Sequence, residues 1–88
     1  MYEWGVREKE AHNLVQEAVG SLKIRRQSLG WSQRTLASKA GVDPKTVSLI
    51  ERGARSPTLF TLSLLASAMD LPLWKIMKDA DRQKEHEK

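Results

Sequence analysis

The chain has no cysteine, which excludes a disulfide framework and any thiolate zinc site. It has no apolar run near the roughly 20 residues that a membrane helix requires. Its first residues, "MYEWGVREKE", lack the apolar core of a signal peptide. Histidine is scarce: His12 and His86 stand far apart, with no carboxylate or cysteine framework around them. No nucleophile motif surrounds any serine. These absences leave no candidate catalytic, metal or cofactor residue, and the expectation is a soluble, cytoplasmic protein that is not an enzyme.

What remains is 88 residues with a net charge of +4. That is the size of one domain with a tail, and its core is marginal. Compact helical packing, support from a partner subunit, or both are expected. The charge is uneven. Residues 1–13 sum to −1, residues 14–31 to +2, residues 32–58 to +3 and residues 59–88 to zero. All the excess therefore lies in the middle of the chain. On charge alone, a polyanion partner and a plain solvated basic face are equally good readings.

Apolar spacing predicts helices throughout. Ala11, Leu14, Val15, Ala18, Val19 and Leu22 recur at i, i+3, i+4, i+7, which predicts a first helix over about 8–29, stopped by Gly30. Gly20 falls on its polar side, where it weakens the helix. In "GWSQRTLASKAG", Ser32 is an N-cap candidate and Trp31 can staple onto Leu36, with Gly41 as the stop. "VDPKTVSLIERG" repeats the grammar: Asp43 caps, Pro44 takes the first helical position, Val42 can staple onto Val47, and Gly53 terminates. Thr58 is a cap for a fourth helix carrying Leu59, Leu62, Leu65, Ala66 and Met69. Pro72 opens a last short one in which Leu73, Ile76 and Met77 share a face. No strand-period segment occurs, so the fold class is all-α with five helices. The predicted divisions are an N-terminal extension over 1–13, a domain over 14–78, and a charged, frayed tail over 79–88.

The stretch "SQRTLASKAGVDPKTVSLIERG" resembles the lambda-repressor/Cro (XRE-like) helix-turn-helix family. Gln33, Leu36, Ala37, Gly41, Val42, Val47, Ser48, Ile50, Glu51 and Gly53 stand at that family's spacing. "SPTLFTLSLLASAMDLPLWKIM" is similar to its fourth and fifth helices, so the resemblance covers about residues 19–78. It implies a compact five-helix lambda-repressor-like domain whose third helix enters the major groove of double-stranded DNA. Ala37 suits a close helix crossing and Gly41 a turn at positive φ. Val42, Val47 and Ile50 are expected in the core.

The same resemblance assigns roles on the outside. Pro44, Lys45, Ser48 and Leu49 are the base-reading candidates. Lys45 could donate to guanine, Ser48 to several base edges, and Leu49 could touch a thymine methyl. The plainer alternatives are a solvated lysine and a surface leucine. Phosphate candidates are Ser32, Gln33, Arg34, Asp43, Thr46, Arg52 and Arg55; Gln33 and Arg34 stand at the start of the second helix, where the free N–H groups already favour an anion. Gln33 has the alternative role of bracing a base-reading residue. Arg26 and Glu51 are an expected ion pair tying the first helix to the end of the third.

Two features depart from the family pattern. Pro44 replaces a polar base reader, which leaves the reading set thin and gives DNA shape a share in specificity. Tyr2, Trp4 and Val6 add an N-terminal extension with no assigned role. Trp74 lies off the core face of the last helix and is a candidate for a homodimer contact, against a tryptophan folded over its own chain. The expectation is a transcriptional regulator, a repressor in its simplest form. It would bind a double-stranded DNA operator as a homodimer in a bacterial or phage setting. The competing expectation is a protein-interaction module, such as an antitoxin or bridging factor, using the same fold.

Overall fold

The computed structural model describes residues 3–78, with side chains from Arg7 onward. Tyr2, the side chains of Trp4 and Val6, and the tail over 79–88 lie outside the described residues. The architecture is all-α: α1 (Glu3–Ser28), α2 (Gln33–Ala40), α3 (Pro44–Glu51), α4 (Leu59–Ala68) and a short α5 over 73–78.

Local chemistry sets the helix starts. Ser32, Asp43 and Thr58 are extended N-cap residues whose side-chain oxygens accept from the backbone N–H of Thr35, Lys45 and Thr61. Each thereby satisfies one of the free donors of a first turn. Pro44 follows Asp43 at the first helical position, where its missing N–H costs nothing.

The helix ends share one device. Trp31 N donates to Arg26 O at 3.1 Å, Val42 N to Ala37 O, Ala54 N to Leu49 O and Leu71 N to Ala66 O, the last three all at 2.9 Å. Each bond closes a Schellman turn around one left-handed residue. In the first three turns that residue is glycine; α4 closes on Asp70 at φ 54°.

The core is a single cluster fed by every helix. It takes Ala18, Val19 and Leu22 from α1, Leu36 and Ala37 from α2, and Val47 and Ile50 from α3. Leu62, Leu65 and Ala66 of α4, with Met69 and Ile76, close it. Ala37 is fully buried because α2 packs against both α3 and α4, and a larger side chain would hold those helices apart. Val15, Trp31, Val42, Leu73 and Met77 cover the rim.

The start of α1 and four apolar positions differ from the expected pattern. The first helix starts at Glu3 rather than near residue 8, and Ala11 is exposed while Leu14 is only half-buried. Its N-terminal half carries charge on all sides, so apolar period could not reveal it. Leu29 falls just past the last helical residue and is exposed. Leu59, at the first position of α4, is 69% exposed beside an equally open Phe60, because α4 meets the core only from Leu62.

Candidate nucleic-acid interface

The adjacent Leu49 and Ile50 require α3 to sort its residues between two faces. Val47 and Ile50 are buried against the core, at 0% and 1% exposure. At 3.6 residues per turn, Lys45, Ser48, Leu49 and Arg52 then fall on the opposite arc. Lys45 and Arg52 are exposed there, with Ser48 and Leu49 half-buried between them, and Pro44 is exposed at the helix start. This outer arc presents a cation, a hydroxyl and an aliphatic side chain close together, the three chemistries that base edges in a major groove can meet. Thr46 is half-buried at its flank.

The orientation of α3 is fixed from behind by a polar network. Arg26, buried to 8% exposure, donates from Nε to Glu51 Oε2 at 2.8 Å and from Nη2 to Glu51 Oε1 at 2.9 Å. Its Nη1 donates to the carbonyl of Trp31 at 2.7 Å. Gln33 Nε2 adds a donor to Glu51 Oε1 at 2.9 Å. One carboxylate therefore joins the C-terminal ends of α1 and α3 to the first residue of α2. The fork-to-fork geometry constrains both direction and distance. Charge buried this way is tolerated because both carboxylate oxygens of Glu51 accept from a donor and the opposite charge is in contact.

Gln33 is thus held by Glu51, with one N–H of its amide engaged and the rest of that group beside the start of α2. Ser32 caps α2, its Oγ accepting from Thr35 N at 3.0 Å, and is exposed. Arg34 is exposed in the first turn of the same helix, and Arg55 is exposed in the segment between α3 and α4. Asp43 is exposed, and its Oδ1 accepts the N–H of Lys45 at 2.8 Å. A carboxylate supplies no donor to a phosphate, so the chemistry of Asp43 here is that of a cap. Trp31 packs on the core edge with Lys39 Nζ 5.1 Å from its ring centroid, a cation–π contact that steadies the approach to α2. Trp74 stands apart from all of this on α5, at 66% exposure.

Two participants had no distinguishing sequence signal. Arg25 precedes Arg26 in the last turn of α1, yet it turns to the other side and donates from Nε and Nη2 to the carbonyl of Met69, at 3.2 and 3.0 Å. Gln16 lies beside Gly53, where an added Cβ would meet its Oε1 at 3.3 Å. Among the described residues no cluster of His, Asp and Glu could hold a metal ion, and no helix is long and apolar enough to cross a membrane.

A helix-turn-helix family model matches residues 22–73, more than half of the chain. The HTH-type transcriptional regulator SutR of Escherichia coli is 38% identical over 60 residues, covering 68% of this chain and 34% of SutR. The transcriptional regulator ClgR of Mycobacterium tuberculosis is 38% identical over 68 residues, covering 76% of this chain and 61% of ClgR. The chain thus spans about a third and three fifths of the lengths of these two relatives. The crystal structure of the restriction-modification controller protein C.Esp1396I superposes with a TM-score of 0.68 at 24% identity. The match covers 76% of this chain and 90% of that one, a likeness of fold.

Proposed function

Because the chain belongs to the helix-turn-helix family of the lambda-repressor/Cro (XRE-like) type, we propose that it is a DNA-binding transcriptional regulator that reads double-stranded DNA in a sequence-specific way. In this reading α3 enters the major groove, with Lys45, Ser48 and Leu49 toward base edges and Pro44 contributing shape. Ser32, Gln33, Arg34, Thr46, Arg52 and Arg55 hold phosphates on either side and set the register. The observation that carries this reading is the outer arc of α3. It places exposed Lys45 and Arg52 around half-buried Ser48 and Leu49, contributes none of the core's buried residues, and is held from behind by Glu51.

The protein acts as a homodimer on paired half-sites about 34–36 Å apart, with Trp74 in the contact between copies, and represses by excluding polymerase from the operator. The names of the two curated relatives support regulation of transcription as the setting. The test is a gel shift on fragments of the source genome over a range of salt. Arg34, Arg52 and Arg55 from each of two copies neutralise six phosphates, which predicts an affinity that falls steeply, by roughly 10³-fold between about 50 and 200 mM salt. Absence of any shift at low salt, with a protein partner retained in pull-down, would favour the interaction-module reading instead.

A further inference from the structure

A second surface has a chemistry that DNA reading does not use. A groove of about 290 Å³ runs between α1 and α5, lined by Ile24, Arg25, Leu71, Lys75 and Ile76, with Ser21 and Ser28 at its edge. None of these residues belongs to α2 or α3. Ile24 is 65% exposed although it sits among core-forming turns of α1. Arg25 and Lys75 have no carboxylate of the described residues within ion-pair distance. The guanidinium of Arg25 is nevertheless fixed in place, because two of its N–H groups donate to the carbonyl of Met69.

We propose that this groove docks an acidic, aliphatic segment of a partner protein. The apolar surface accepts aliphatic side chains, and the two cations, without a carboxylate partner among the described residues, select carboxylates beside them. A small ligand fits less well, since such sites bury most of their ligand and this groove is open along Ile24. A second copy bound symmetrically would bring Arg25 and Lys75 toward their own equivalents, a like-charge arrangement that opposes it. Because the groove excludes α2 and α3, the partner can be held while the reading helix is engaged. The site thus provides a way for a bound regulator to recruit or be recruited.

The test is a titration of the full chain, followed by ¹H–¹⁵N NMR, with a short amphipathic peptide of leucines and glutamates. The control is the same peptide with lysine in place of glutamate. The glutamate peptide is expected to move the resonances of Ile24, Ser28, Leu71 and Lys75, and the lysine peptide to leave them in place. Lys75→Glu is expected to lower affinity for the glutamate peptide about fivefold or more and to admit the lysine peptide. Ile24→Glu is expected to abolish binding, and both variants to retain DNA binding. Equal binding of both peptides, or of neither, overturns the proposal. So does loss of DNA affinity in Lys75→Glu, which would make the groove part of the DNA surface. Groove resonances that move with protein concentration alone, or with Asp79→Lys and Asp81→Lys in the absence of peptide, would place a second copy or the chain's own tail there instead.

Discussion

At the scale of single residues, Glu51 is the position on which most depends. Its side chain is 4% exposed and accepts from Arg26 twice and from Gln33 once. Glu51→Ala would leave the guanidinium of Arg26 buried without a counter-charge, a loss of about 3 kcal/mol or more. For a domain whose whole stability is on the order of 5–10 kcal/mol, that is a large fraction. Urea unfolding should show it as a lower midpoint with an unchanged slope. Replacing Arg26 and Glu51 together by apolar residues of similar volume should cost far less, because no unpaired charge remains. Arg55→Ala, by contrast, removes an exposed cation: stability should stay within about 0.5 kcal/mol, while the salt slope of DNA binding falls by about one per bound copy.

At the scale of the helices, glycine and aspartate at the turns make opposite predictions. Gly41 has φ 74° with no atom within 4 Å of an added Cβ, so Gly41→Ala carries only the backbone penalty, about 1 kcal/mol. Asp70 already bears that penalty at φ 54°, and Asp70→Gly should stabilise by up to about 1 kcal/mol. Gly20, inside α1 with open space around it, should likewise gain about 0.5–1 kcal/mol as alanine. Thermal melts of the three variants separate these signs.

The same elements show what a sequence can disclose. Ser32, Asp43 and Thr58 were legible as caps, and Gly30, Gly41 and Gly53 as stops, because those roles depend on local backbone chemistry alone. Val47 and Ile50 were placed in the core by the family resemblance, and their i, i+3 spacing agrees with it. The turn at Asp70 was not legible, since aspartate only tolerates a conformation that glycine advertises. Nor was the difference between Arg25 and Arg26. Neighbours in one turn, they point to Met69 and Glu51 respectively, and only the packing of α4 and α3 around α1 decides which goes where. Gln33 was readable as a polar residue at a helix start, but its bond to Glu51 depends on a tertiary approach across 18 residues.

At the scale of the whole molecule, the exposed apolar residues are the remaining clue to assembly. Trp74 on α5 and the Leu59–Phe60 pair at the start of α4 are open to solvent on separate elements. If Trp74 lies between copies, Trp74→Ala should convert a sedimenting dimer to monomer and weaken binding to a paired site while sparing a single half-site. An unchanged dimer that Phe60→Ala dissolves would move the contact to the start of α4. Neither change touches α3 or its bracing network, so recognition of one half-site should survive both.

The most direct test of the central claim, that the outer arc of α3 reads bases, is selection of Lys45→Ala against a randomised operator library beside the unaltered chain. Lys45 is exposed on that arc, and it is its backbone N–H, not its side chain, that donates to Asp43. Truncating the side chain should therefore leave the fold intact. The expected result is a preference lost at one base position, worth about 1–3 kcal/mol, with the rest of the operator unchanged. An even loss of affinity across all sequences, or an unaltered preference at every position, would contradict it.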